Sequence, residues 1–527
     1  MKRTLACLLA LVLLLALSIP AMAEEKASFT YWVGLDTTAL TNYDDRLGYQ
    51  IAQEATGIDV EFLHPAKGTE PDAFKILIAS GEYPDAIQYT WDKSYPAGVT
   101  AAMDDGVIID LKPYLTEEYV PNMIKYFEKY PELWSYITTD DGRIGTIPCI
   151  YTNSTGASEH QKLFDRSLYS QSSGGLIVRQ DWLEAQGIEL PTTVDGWDAA
   201  LRQLKEAYTL DATFTTTWSN LKGKFPFISA YDICVGLYND EGIVKYGPAE
   251  DKMKDALTLL NKWYADGILD VDFAVNDSKA VTANVLNEKS ALWIGTAGSN
   301  IGAYYQSMVK AGKTEFNAIP VTSPSLEEGG QPKFSEQALF APFSGISLAI
   351  TSTSTNIETV LKFVDYAFTE EGNMSLNWGK EGVSYEMVDG WPAFTDLVFH
   401  DPNGLTTADA QKLYLTQNGP WPVDNYNRVA VRVTYGTDSV MNTDNVWAAS
   451  GKYSSNMPPV SLTSKEAEIY ANYFNEINTY AEEMMQKFIM GSESLDGFEQ
   501  FQKNLESMGL AEVLKVQQSA LDRFLAR

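Results

Sequence analysis

Cysteine and histidine are almost missing from this chain: three of each in 527 residues. His64, His160 and His400 stand far apart, and neither His-Glu-x-x-His nor Cys-x-x-Cys occurs, so no motif for a metal centre is present. Gly-x-Ser-x-Gly is absent too, as is the phosphate-cradling Gly-x-x-x-x-Gly-Lys; Gly379-Lys380-Glu381-Gly382 lacks the upstream glycine and the following hydroxyl. Basic charge is scarce, 39 Lys and Arg against 70 Asp and Glu, for a net charge of −31. A field of that sign repels nucleic acid and anionic lipid. Beyond the first two dozen residues no apolar run is long enough to span a bilayer. Acidic pairs such as Asp44-Asp45, Asp104-Asp105 and Glu327-Glu328 are too common here to mark a site, although a glycosidase carboxylate pair hidden among them stays open.

What is present begins with the leader. Lys2 and Arg3 precede an apolar run from Leu5 to Leu17, then Ala21-Met22-Ala23, the pattern of a signal peptide cleaved before Glu24. Cys7 lies inside the apolar run, the wrong place for a lipid-bearing cysteine at the cleavage point. Cys149 and Cys234 remain after cleavage, and both a disulfide and two buried thiols are open. The chain far exceeds the size of one core, so two lobes are expected.

Ser28 to Val33 and Ile58 to Phe62 alternate as strands, and Pro84-Asp85 opens a third through Tyr89. Helices separate them over Leu47–Ala55 and Asp72–Ala79, which makes the class α/β. Later helices carry end signals: Thr193 before Trp197, Leu201 and Leu204; Lys252 to Ala265, stopped by Gly267; Ile357 to Phe368; and a capping box at Thr463 and Glu466 opening a long helix that Gly491 closes. Ser323 to Gln337 reads as a surface loop or an interlobe crossing. The positive feature is aromatic: 12 Trp and 29 Tyr. A pyranose ring offers an apolar C–H face to an aromatic plane, while its hydroxyls need polar partners at the edge.

Segments distributed over the chain resemble one family. They include Glu54-Ala55-Thr56-Gly57-Ile58-Asp59-Val60, Ile78-Ala79-Ser80-Gly81-Glu82-Tyr83-Pro84-Asp85, Asp110-Leu111-Lys112-Pro113-Tyr114-Leu115, Val178-Arg179-Gln180-Asp181-Trp182-Leu183, Trp263-Tyr264-Ala265-Asp266-Gly267-Ile268, and Gly379-Lys380-Glu381-Gly382-Val383-Ser384-Tyr385. Each is weak alone; in this order they resemble the family 1 extracellular solute-binding proteins of ABC importers, and are similar to the long LipO-like subset related to alginate-oligosaccharide binders. The resemblance implies a two-lobe periplasmic-binding-protein fold (type II, Venus flytrap) with a helix-rich second lobe. It implies a first lobe of residues 24–147 plus 341–385, a second of 148–340 plus 386–527, and crossings near Pro148 and Ala341. It also implies reversible capture of a small oligosaccharide, delivery to an importer's membrane subunits, no cofactor and no catalysis. Residues Tyr208 to Phe214, where the alginate binders carry a calcium loop, lack spaced oxygen ligands, so no structural metal is expected. Asp401-Pro402-Asn403-Gly404 reads as a turn. With no lipobox, a periplasmic or freely extracellular monomer follows. A non-sugar solute such as a peptide, a secreted carbohydrate-active enzyme and a sensory role are the alternatives.

Ligand candidates come from strand ends and aromatic loops. Trp32 ends the first strand, Tyr89 and Trp91 follow the third, and Tyr151 follows the crossing. Arg179 flanks a strand-to-helix turn and has a fork suited to hydroxyl pairs or a uronate, with Asp181 as its rival partner; Trp182 reads as core. Trp218, Trp293, Trp378, Glu381 and Tyr385 complete the set. Asp85 reads as a structural hydrogen-bonding group.

Overall fold

The computed structural model describes residues 26–152, 174–335 and 343–526, apart from 389, 417, 425–437, 442, 452, 455, 456 and 459. The signal peptide expected over residues 1–23, and His160, lie outside the described residues. Ten strands form the two main sheets: β1 Ser28–Val33, β2 Asp59–Leu63, β3 Ala86–Tyr89, β4 Ile147–Thr152, β5 Gly174–Arg179, β6 Phe214–Thr215, β7 Leu292–Thr296, β8 Ala318–Val321, β9 Phe343–Ile350 and β10 Pro422–Asp424. One sheet has the order β10-β4-β9-β3-β1-β2, the other β8-β5-β7-β6.

The alternation in β1 places Phe29, Tyr31 and Val33 in one core and Trp32 in another on the opposite face. Parallel register with β2, Ser28 to Asp59 through Trp32 to Leu63, follows from the helix Leu47–Thr56 between them. The expected helix over Asp72–Ala79 runs from Glu70 to Ser80, one turn tightened by Pro71 at its start. Thr193 accepts from the Gly196 amide and starts a helix to Tyr208 whose buried stripe is Val194, Trp197, Ala200, Leu201 and Leu204. The capping box at Thr463 and Glu466 forms as read, and its helix runs from Ser464 to Met490. Among the described residues no helix is long and apolar enough to cross a membrane.

Strand polarity locates the functional edge. In the first sheet β1, β2, β3, β4 and β10 are all parallel and β9 runs against them. Their carboxyl ends, with the amino end of β9, therefore share one edge. The chain leaves this lobe after β4, returns into β9 and leaves again after β10, each time at that edge. In the second sheet β5 enters at Gly174, and β7 and β8 run against it while β6 follows β7. The amino end of β5 and the carboxyl ends of β6, β7 and β8 thus share the edge from which the crossings depart. A chain that passes repeatedly between two sheets is the topology of a hinged pair of lobes.

Sheet membership corrects one expected boundary. Strand β10 hydrogen-bonds to β4 in the first sheet. Phe394, Val398 and Leu415 pack with Trp378 and Tyr385 in one small core, and Trp421 and Val423 enter the main core of the first lobe. Residues Pro422–Asp424 thus join the first sheet although the resemblance placed them with the second lobe, while Val440 and Trp447 pack on the second sheet. Residue pattern alone does not show this, because the hairpin Tyr385–Val388 and Trp391–Phe394 carries no lobe-specific signal. Cys149 is buried in the first lobe's core and Cys234 in the second's, which leaves the disulfide alternative without support. The last helix, Leu510–Leu525, reaches back across the hinge: Arg523 pairs with Asp140 of the first lobe and, at 2.6 Å, with Glu466 of the second.

Candidate functional site

The first edge is built from rings. Trp32 at the end of β1 meets Tyr89 at the end of β3 edge-on, centroids 5.6 Å apart, and Phe74 stacks against Tyr89 at 4.7 Å. Phe74 in turn meets Trp91 at 5.2 Å. Within this cluster Tyr89 is the partly exposed member, whereas Trp32 is 7% exposed and Trp91 is fully buried. Desolvation raises the Tyr89 phenol above its ordinary pKa, so it stays a neutral hydrogen-bonding group throughout the physiological range.

Beside the rings runs a polar chain. The Tyr31 hydroxyl donates to Gln88 Oε1 at 2.5 Å, Gln88 Nε2 donates to the Asn418 carbonyl at 3.3 Å, and the Tyr151 hydroxyl donates to Asn418 Oδ1 at 3.2 Å. The loop after β1 adds a buried ion pair, Arg46 to Asp36 at 2.5 Å, with the guanidinium 3.9 Å above the Tyr43 ring. His64, at the end of β2, donates from Nδ1 to the Val33 carbonyl and accepts the Tyr43 amide at Nε2. Burial, its largest influence, lowers its pKa and keeps it neutral.

The second edge is built from hydroxyls and amides. Thr215, Thr216 and Thr217 follow β6, and Thr217 caps the helix Trp218–Lys224 by accepting from the Asn220 amide. Trp218 donates from its indole to Glu482 at 3.3 Å, and Lys222 holds the same oxygen at 2.6 Å. Burial opposes the Glu482 charge, but these donors outweigh it and lower its pKa. After β7 the chain makes a π-helical turn, Ala297–Gly302. Asn300 in that turn accepts from the Thr296 amide at 2.9 Å and donates to the Tyr304 hydroxyl at 2.7 Å. Gly295 makes this possible: a Cβ there would lie 2.5 Å from the Asn300 Cβ. Such turns interrupt helices where function needs a displaced side chain.

The ten residues expected at the ligand site are thus distributed unevenly. Trp32, Tyr89, Trp91 and Tyr151 gather at the first edge and Trp218 at the second. Trp91 folds back, its indole donating to the Ile87 carbonyl at 3.2 Å, so it supports the cluster and shows no surface. Arg179 lies at the opposite end of the second sheet. It ends β5, and β5 begins at the crossing edge, so its carboxyl end is the far one. There it forks onto Asp181 at 2.8 and 2.5 Å, between Trp182 and Phe316. Trp293 sits near that far end, fully buried. Trp378 is buried beside Tyr385, while Glu381 and Tyr385 together line a separate concavity of about 590 Å³ with Ile51, Glu54 and Met374. Sequence reading missed Asn418, Asn300 and the Asp36–Arg46 pair. Asn300 had one legible signal, the Gly295-Thr296-Ala297-Gly298 run after an apolar strand.

Two sheets, each with its own core and with the chain passing between them, make a two-lobe protein. The model of the family described as bacterial extracellular solute-binding protein matches residues 38–374, and this chain belongs to that family. It is similar to the fructooligosaccharide ABC transporter substrate-binding protein FusA of Streptococcus pneumoniae, 23% identical over 95% of this chain and 91% of that protein. It is also similar to lipoprotein LipO of Bacillus subtilis, 27% identical over 66% of this chain and 64% of that protein. The calcium-free crystal structure of the alginate-binding protein AlgQ2 shares the fold, with a TM-score of 0.71 and 20% identity over 95% of this chain and 98% of that one.

Proposed function

We propose that this protein captures an oligosaccharide between its two sheet edges by hinge closure and presents it to an ABC importer. The observation that carries the reading is the pairing of a ring-lined edge with an amide- and hydroxyl-lined one across a shared set of crossings. FusA, whose name records a fructooligosaccharide, matches nearly the whole chain and supports the same class of ligand. Tyr89, backed by Trp32, offers a plane for the apolar face of a sugar. Tyr151 and Asn418 on one side, and Asn220 and Asn300 on the other, supply donors and acceptors for its hydroxyls. The ligand binds the closed arrangement better and shifts the population toward it; no bond is made or broken. Among the described residues no group of metal-ligating side chains converges, and the capture needs none. The leader ending at Ala23 directs export, to the periplasm or the medium, and the protein acts as a monomer.

Isothermal titration against a panel of fructo-, manno-, gluco- and uronate oligosaccharides, with product analysis of each mixture, tests this. Saturable binding with the sugar recovered intact supports it. Absence of binding across the panel, or sugar cleavage, overturns it in favour of a non-sugar solute or an enzyme.

A further inference from the structure

The second lobe holds a half-buried cation bound to backbone alone. The ammonium of Lys205 donates to three backbone carbonyls, those of Leu210 at 2.9 Å, Asp211 at 2.6 Å and Gly267 at 3.0 Å. An ammonium has three protons, and here each finds one oxygen. Among the described residues no carboxylate pairs with it: the neighbouring Asp266 is taken by Arg202 at 2.6 Å, and Asp198 by Arg202, Lys262 and the Trp263 indole.

The carbonyls lie just beyond the carboxyl ends of two helices. Leu210 and Asp211 follow the helix Val194–Tyr208, which ends at Thr209 in the left-handed conformation. Gly267 follows the helix Asp251–Ala265. Helix carboxyl ends carry partial negative charge and orphan carbonyls, and two of them meet at this point. Three neutral carbonyl oxygens around one point are what a hard cation takes as ligands. Gly267 fits the same reading: its φ is +66°, and a Cβ would lie 3.0 Å from the Lys205 nitrogen and 3.1 Å from the Asp211 carbonyl.

We infer that this carbonyl nest is a cation site filled by the chain's own tethered ammonium, and that removing the ammonium converts it into a site for a free alkylammonium ion. The tether replaces a dissociable ion with one that is always present, so the seam between the two helices is independent of metal supply.

The test uses the full-length mature protein and Lys205→Ala. The variant should melt several degrees lower than the parent. Ethylammonium chloride should recover part of the loss saturably, while sodium chloride and tetramethylammonium chloride at equal ionic strength should not, and the parent should respond to none of them. An unshifted variant, or recovery no greater with ethylammonium than with sodium, overturns the inference. If Lys205→Ala does not fold, Lys205→Met, which keeps the stem and the helix, decides: a lower melting point supports the inference and an unchanged one overturns it. A melting point of the parent that rises with calcium or falls with a chelator also overturns it.

Discussion

The sheet ends from which the chain passes between the two lobes are built with different chemistry. The first sheet ends in rings packed ring to ring, Trp32, Tyr89 and Trp91 with Phe74 from a neighbouring helix, and Tyr89 is the one of the four that is partly exposed. The second ends in short polar side chains positioned by caps and by a π-helical turn, Thr217, Asn220 and Asn300. A sugar has both an apolar face and a polar rim, and the proposed capture draws on both kinds of edge. The rings supply area with little conformational freedom to lose, while the amides supply direction.

The comparison breaks most severely at its foundation. Trp91→Ala removes a fully buried ring from under the first edge and should lower stability by about 3–5 kcal/mol, read from denaturant midpoints. A smaller loss is expected at the second edge. Gly295→Ala forces a Cβ to within 2.5 Å of the Asn300 Cβ, so the π-helical turn must shift, at about 1–3 kcal/mol; affinity for the bound oligosaccharide should fall with it. Tyr89→Ala separates binding from folding. With the ring partly exposed, affinity should drop about tenfold, roughly 1.4 kcal/mol, while the melting point moves little. Arg179→Met sharpens the contrast between the near and far ends of the second sheet. It uncouples Asp181 and lowers stability, but calorimetry should find affinity unchanged.

The smallest effect is a matter of pH. Burial opposes the Asp198 charge, yet hydrogen bonds from Arg202, Trp263 and Lys262 hold its carboxyl at about 2, against an ordinary 3.8. The folded protein binds that proton more weakly than the unfolded chain. Unfolding therefore takes up a proton in this window, and stability must fall as pH drops from about 4 toward 2. Asp198→Asn should flatten that part of the stability profile.

Much of the first lobe was legible because its strands obey one rule. Alternation in Ser28–Val33 and the Pro84-Asp85 opening gave parallel strands, and parallel strands put their carboxyl ends together, so Trp32 and Tyr89 could be placed. Asp85 also read correctly: its carboxylate accepts from Thr30, Ser354 and Asn356 at the opposite end of the sheet. The same rule failed for Arg179, because β5 enters from the crossing and runs the other way. Local sequence carries no record of that polarity; it is set by where the preceding crossing delivers the chain. Trp91, Trp293 and Trp378 failed for another reason. A tryptophan after a strand looks alike whether its ring turns outward or back into the core, and only the packed neighbours decide. Trp182, buried beside Tyr208 at 4.1 Å, was readable because the helix that follows repeats its apolar face.

The central claim is that the two edges move toward each other on a guest. Spin labels at Lys93→Cys and Ser219→Cys, both exposed and flanking opposite edges, report it directly, since Cys149 and Cys234 are buried. The distance between labels should shorten and narrow when an oligosaccharide shown by calorimetry to bind is added to saturation. An unchanged distribution at full occupancy would contradict the account.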